Sequence, residues 1–342
     1  MGFRLSAGGF LIVIGNLITI LFLFSPQGNA NPIDTKYNHI VKESERQFWV
    51  AQFDSVLENG KMLIGTYPEK SEGYRILCMY WISENDWDRA IKFGKKAVKL
   101  DEHSGMAHHW LGRAYGRKAQ NSSRFRAAFL VGKVKKHFKK AAELMPDYIR
   151  THEDLFKFYS GSPRLAGGSR KKAEEELEHI VKLDPFRGSE MKAKYYFSIG
   201  NNEMAEKEIE KAIALDSADI DVRWTKTHIL MNVNRISTRK QLRQIYLMSP
   251  QDSLKVFYQL GLTFLLEGDS LEAGIEIYNR YISSSNAPET TTYAASFWRR
   301  GMLYEKSGKY DRALIDYEES VKINSDFEPA KNALKKIKKK LR

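Results

Sequence analysis

Ten basic residues stand between Arg113 and Lys140 with no acidic residue among them: Arg113, Arg117, Lys118, Arg124, Arg126, Lys133, Lys135, Lys136, Lys139 and Lys140. Such a window does electrostatic work. It can hold an anionic lipid surface, where cations beside headgroups add attraction, or an acidic protein or polyanion. The structural alternative is a solvated face, balanced in space by the acidic run Glu174, Glu175, Glu176 and Glu178. Phe125, Phe129, Val134 and Phe138 recur mostly every four residues inside the window. That spacing predicts a helix from about Arg124, with Ser122 or Ser123 as N-cap, apolar on one face and cationic on the other.

Residues suited to bond-making chemistry are sparse. No P-loop, G-x-S-x-G, paired-glycine dinucleotide loop or H-E-x-x-H occurs. His152-Glu153-Asp154 starts like a zinc site but continues Leu155-Phe156, so the second ligand is missing. His103, His108 and His109 cluster without a carboxylate or cysteine at ligand spacing, which favours packing and surface roles. Gly167-Gly168-Ser169-Arg170-Lys171-Lys172 opens a helix. It reads either as a loop-to-helix start with Ser169 as N-cap or as an anion site at a helix N-terminus. Cys78 is the only cysteine, so no intramolecular disulfide forms. Its place in a helix marks a buried packing residue rather than a reactive thiol. No nucleophile–base pair emerges, so the expectation is a non-enzymatic chain without cofactor or metal.

The elements that carry these residues are helical hairpins. Residues 294–327, AASFWRRGMLYEKSGKYDRALIDYEESVKINSDF, read as two amphipathic helices joined at Gly308. Phe297, Gly301 and Tyr304 share one helix face, and Ala313, Tyr317, Ser320 and Ile323 share one face of the next. One such hairpin cannot bury its own apolar face and needs neighbours of its kind. Copies recur: Leu260-Gly261, Phe264, Gly268 and Ala273; Leu111-Gly112, Tyr115, Phe138, Ala141, Leu144 and Pro146; Ala173, Leu177, Ile180 and Pro185; Ala205, Ile209 and Ala212; Trp81, Ala90 and Ala97. The endings AVKLDE, AAELMPD, IVKLDP, AIALDS and VKINSD return at near-repeat intervals.

This pattern resembles the tetratricopeptide repeat, a unit of about 34 residues. The resemblance implies an all-α, tetratricopeptide-like helical-hairpin solenoid, and a scaffold that binds a protein or peptide along its groove. The first helix of each hairpin lines that groove in the family. On that basis Arg113, Lys118, His152, Lys157, Arg223, Lys226, Arg299 and Arg300 are candidate binding residues. Lys133, Lys135, Lys136 and Lys139 are the candidates in the basic insertion, with an anionic lipid surface or acidic partner as the alternative ligand. Relative to the family pattern, the insertion adds about ten residues that either extend the helices or form a lobe. The stretch SGMAHHWLGRAYGRK through KVKKHFKKAAELMPDY also resembles part of the regulator of microtubule dynamics family.

In chain order, residues 1–30 read as a signal peptide or signal anchor. The apolar run Phe10–Phe24 precedes Gly28-Asn29-Ala30, which suits cleavage after Ala30. The expected location is exported, periplasmic or secreted; the alternative is anchorage through residues 5–25. Residues 31–70 are a helical lead-in, with an amphipathic helix over Val41–Leu57 interrupted afterwards by Gly60, Gly65 and Pro68. Residues 71–327 form about seven repeat units, of which 220–251 reads as a repeat or a helical spacer. The segment Ser283–Thr292 is an expected exposed loop. Residues 328–342 form a basic helix that caps the array through Ala330, Leu334 and Ile337. Formal charge is +13, which favours anionic partners. Nothing reads as a helix-turn-helix, zinc finger or base-stacking motif, which argues against nucleic acid.

Overall fold

The computed structural model describes the backbone of residues 12–14 and 17–19, and residues 32–284 and 291–342. Two short strands, β1 (Ile12–Ile14) and β2 (Leu17–Thr19), pair antiparallel with Val13 opposite Ile18. The remainder of the expected targeting segment lies outside the described residues, as does most of the expected loop over 283–292. Among the described residues, no helix is long and apolar enough to cross a membrane. All else of regular structure is helical, so the fold is all-α beyond that small hairpin. The chain divides into two compact units, Met1–Gly168 and Ser169–Arg342.

The first unit holds α1 (Pro32–Trp49), α2 (Phe53–Thr66), α3 (Ser71–Ser83), α4 (Trp87–Leu100), α5 (Gly105–Gln120), α6 (Arg124–Leu144) and α7 (Ile149–Gly161). Short polar residues start several of these helices. Asp86 accepts from the Arg89 backbone N–H at 2.9 Å, and Ser104 accepts from Ala107 at 3.2 Å. The lead-in is two helices, not one over Val41–Leu57. The break falls at Val50–Gln52, where Ala51 takes a φ of 59°. Gly60 and Gly65 do not interrupt; they lie inside α2. A Cβ at Gly60 would sit 2.5 Å from Leu77 Cδ2, so this glycine lets α2 approach α3.

The insertion extends a helix rather than forming a lobe. α6 runs 21 residues, with Val134, Phe138 and Ala141 buried. A Cβ at Gly112 would meet Phe138 at 2.6 Å, and one at Gly116 would meet Val134 at 4.0 Å. That register puts Gly116 opposite Val134. Only four residues of α5 (117–120) remain beyond this point, against ten of α6 (124–133). The first turns of α6 therefore overhang α5. Phe125 and Phe129, expected on the apolar face with Val134 and Phe138, are 75% and 67% exposed.

The second unit holds α8 (Arg170–Leu183), α9 (Pro185–Ser198), α10 (Asn202–Leu215), α11 (Ile220–Val233), α12 (Arg235–Met248), α13 (Ser253–Glu267), α14 (Leu271–Ser284), α15 (Thr291–Lys306), α16 (Tyr310–Ile323) and α17 (Glu328–Lys340). Ser169, Asp184, Asn201, Asp219 and Asn234 each cap the following helix through a side-chain oxygen. Consecutive helices pack as hairpins, α9 on α10, α11 on α12, α13 on α14 and α15 on α16. One device recurs. A glycine on the first helix faces an aromatic ring on the second. Cβ atoms at Gly261 and Gly301 would lie 2.7 Å from the rings of Tyr278 and Tyr317, both fully buried. Gly112 and Phe138 repeat it in the first unit. Ala330 and Ile337 of α17 are fully buried, with Leu334 packed beside the same cluster.

Candidate functional site

In the first unit the inner helices of successive hairpins, α3, α5 and α7, are partly covered by the chain itself. Tyr37 of α1 donates to Glu72 at 2.5 Å, and Glu45 pairs with Arg75 at 2.6 Å, both partners on α3. Farther along α1, Phe48 packs edge-on against Trp110 of α5 with centroids 5.2 Å apart. Arg150 of α7 lies 3.9 Å over the Trp49 ring. α1 thus crosses the N-terminal halves of α5 and α7.

The C-terminal halves of these helices stay open. There they form a cleft of about 340 Å³ with α6. Val131, Val134, Phe138 and Phe158 make its apolar wall, and Arg113, Arg117 and Lys157 are its cations. Asp154 is its acid. Arg113 Nε lies 3.3 Å from Asp154 Oδ2, and Lys157 Nζ lies 3.9 Å from Oδ1. Burial raises the Asp154 pKa, while Arg113 and Lys157 oppose that rise. Behind Asp154 sits His109, with Nε2 at 3.8 Å from Oδ2. Burial and the nearby Arg113 push the His109 pKa down to about 3, so the imidazole is neutral at physiological pH. His109 Nε2 and Asp154 Oδ2 both lack a hydrogen-bond partner. The cleft carries three cations against one carboxylate, beside apolar surface. That combination suits an acidic group attached to an apolar chain.

The expected binding residues divide. Arg113 and Lys157 line the cleft. Lys118 pairs instead with Asp88, and His152 is buried with Nε2 2.8 Å from the Pro146 carbonyl, so it is a packing residue rather than a groove residue. In the second unit, Arg223 donates to the Ser217 carbonyl at 2.6 and 3.0 Å, tying its own loop. Lys226 pairs with Glu210. Arg300 is held by Asp316 at 2.6 and 2.8 Å and by Asn279 at 2.8 Å, a structural ion pair rather than an open binding group. Arg299 stacks 4.4 Å over Tyr258 and lines a shallow pocket of about 270 Å³ with Trp298 and Met302.

In the insertion, Lys133 lies 5.4 Å over the Tyr115 ring. No ion pair joins Lys133, Lys135, Lys136 or Lys139 to an acid among the described residues, whereas Lys140 reaches Glu143 at 3.7 Å. The acidic run does not supply their balance through direct pairs: Glu174 pairs with Arg170, Glu175 with Lys171 and Glu178 with Lys192.

Sequence reasoning missed Asp154 as a site residue. Its signal was spacing, since Asp154, Lys157, Phe158 and Gly161 fall on one face of α7. It also missed that His108 meets His137, whose Nδ1 atoms are 2.9 Å apart. Burial lowers both pKa values, His137 to about 4. Cys78 is fully buried, and desolvation pushes its thiol up to about 12, outside nucleophile range. Among the described residues no group of three or more His, Cys, Asp or Glu could hold a metal ion.

Two stretches match family models for the tetratricopeptide repeat, residues 190–219 and 294–327. The human antiviral innate immune response effector IFIT1 is 23% identical over 228 residues, covering 60% of this chain and 44% of that protein. The chain thus spans less than half the length of this curated relative. Among solved structures, a thermophilic TPR protein of Thermus thermophilus aligns with 20% identity and a TM-score of 0.48, over 57% of this chain and 99% of its own. A tetratricopeptide repeat protein of Parabacteroides merdae aligns with 14% identity and a TM-score of 0.48, over 78% of this chain and 98% of its own. The matched stretches fall on the α9–α10 and α15–α16 hairpins, so these two hairpins are tetratricopeptide repeats, and helical hairpins of similar build stand around them.

Proposed function

We propose that this chain is a non-enzymatic protein-interaction scaffold whose first unit takes an acidic, partly apolar peptide segment in the cleft between α5, α6 and α7. Tetratricopeptide repeats suggest the scaffold role in general. The observation that carries the finer reading is the cleft itself: Arg113, Arg117 and Lys157 around one largely buried acid, beside Val134, Phe138 and Phe158. Arg113 is already engaged with Asp154, which fixes it in place. Arg117 and Lys157 are exposed and can turn to meet a ligand carboxylate. α1 closes the other half of the groove, so the peptide would enter at the C-terminal ends of α5 and α7. The working place we propose is the exported space, resting on the apolar run before Gly28-Asn29-Ala30. A mature protein beginning at Asn31 is the expected species there.

Selection of a phage-displayed peptide library on the purified chain tests the reading. Enriched peptides should pair Asp or Glu with a large apolar residue. The double variant Arg117→Glu, Lys157→Glu should bind them at least about tenfold more weakly while keeping its circular dichroism spectrum. Peptides without acidic enrichment, or affinity untouched by the double variant, would sink it.

A further inference from the structure

The two faces of α6 do different things. One face carries Val131, Val134 and Phe138 into the cleft and the core. The opposite face is exposed along its length, with Phe125 and Phe129 at one end and Lys133, Lys136 and Lys139 following. At about 100° per residue, Phe125 lies half a turn from Val134, while Phe129 and Lys136 sit within about 40° of Phe125. The two phenylalanines contact each other edge-on, with centroids 5.2 Å apart. Arg124 and Arg126 flank them, both exposed. The turn Arg164–Ala166 packs beside α6, and its Leu165 is fully exposed.

A soluble helix ordinarily turns its aromatic residues inward and leaves charge outside. Here aromatic rings stand in water at the overhanging end of a helix whose exposed side is otherwise cationic. The four lysines from Lys133 to Lys139 have no acidic partner among the described residues. A folded protein partner would be matched by shape and by a mixture of charges. Rings clustered at one end of a one-sign stripe match instead a flat surface that is anionic outside and apolar beneath.

We propose that this face of α6 docks on an anionic lipid bilayer, with Phe125 and Phe129 inserted at the level of the acyl boundary and Arg124, Arg126, Lys133, Lys136 and Lys139 against the headgroups. The proposal does not rest on the peptide cleft, which lies on the other side of the same helix.

Because Cys78 is the one native cysteine and is fully buried, a Phe129→Cys variant of the full chain takes an environment-sensitive nitrobenzoxadiazole label at that position alone. On vesicles of phosphatidylcholine containing a quarter phosphatidylglycerol, the emission should shift to the blue and gain several-fold in intensity. Pure phosphatidylcholine vesicles should leave it unchanged. Adding Phe125→Ala should weaken the response at least tenfold, and Lys133→Glu, Lys136→Glu, Lys139→Glu should abolish it, both with unchanged circular dichroism. Cosedimentation with vesicles while the label stays in water would place membrane binding elsewhere in the chain and overturn the proposal. An equal blue shift with soluble dextran sulfate would show a polyanion site rather than a bilayer site, and would overturn it as well.

Discussion

His109 has no exposed surface, and the groups facing it come from three helices: Arg113 on its own α5, Arg150 and Asp154 on α7, and Arg75 on α3. Its folded pKa is about 3, below the ordinary value of 6.5, chiefly because burial penalises the imidazolium. The sign follows from proton counting. Above pH 6.5 both folded and unfolded forms hold the ring neutral, and the native state has its full advantage. Between 6.5 and about 3 the unfolded chain binds a proton that the native chain refuses, so stability falls as pH falls, by about 1.4 kcal/mol per pH unit. His137, lowered to about 4, adds a slope of the same sign. Asp154, whose pKa is raised by burial, works in the opposite direction at the acid end of this range. Urea unfolding followed at pH 7.5 and pH 5 should show a clear loss at the lower pH. His109→Gln with His137→Gln should flatten that difference; a wild-type midpoint independent of pH would contradict the assignment. Cys78 was legible at this scale, because a lone cysteine inside a helical pattern is ordinarily core. His152 was not: whether a residue on the first helix of a hairpin faces groove or neighbour depends on a rotation of one position, which a degenerate repeat leaves open.

At the scale of single helices, glycine reports how closely two of them approach. Gly301 of α15 sits against Tyr317 of α16, where an added Cβ would lie 2.7 Å from the ring. Gly301→Ala gains helix propensity of about 1 kcal/mol but forces a fully buried ring to move, at about 1–3 kcal/mol. The net expectation is destabilisation, read as a lower urea midpoint. Gly132 of α6 is the matched control, since nothing lies within 4 Å of its added Cβ. Gly132→Ala should stabilise, by up to about 1 kcal/mol. A loss of stability there would mean that α6 is not an exposed helix at this point. The hairpins themselves were readable because small and large residues alternate at helical spacing and acidic or amide caps stand at the starts. The face of α6 was misread at one step. Phe129 to Val134 is five residues, not four, and that step turns the stripe by about 140°. Phe125 and Phe129 form one half-stripe, and Val134 and Phe138 another on the opposite side. The break after α1 was missed for a different reason: Ala51 adopts a positive φ without being glycine, so no residue type advertises the turn.

At the scale of the whole chain, the division between Gly168 and Ser169 separates two sets of helices, each with its own buried clusters. Stability in repeat proteins is close to a sum over neighbours, so each half carries most of what holds it together. Residues 32–168 and 169–342, expressed separately, should each give a helical circular dichroism spectrum and a cooperative thermal transition. A half that stays unfolded alone would show that the division is one of contact density only. The cleft, by contrast, belongs wholly to the first half. A fragment ending at Gly168 would keep every residue that lines the cleft, and with them the peptide grip proposed above. On that reading, the fragment produced beside the intact protein should compete with it for the same peptide. If the cleft is the peptide site proposed above, one cut between Gly168 and Ser169 would turn the protein into a competitive antagonist of itself.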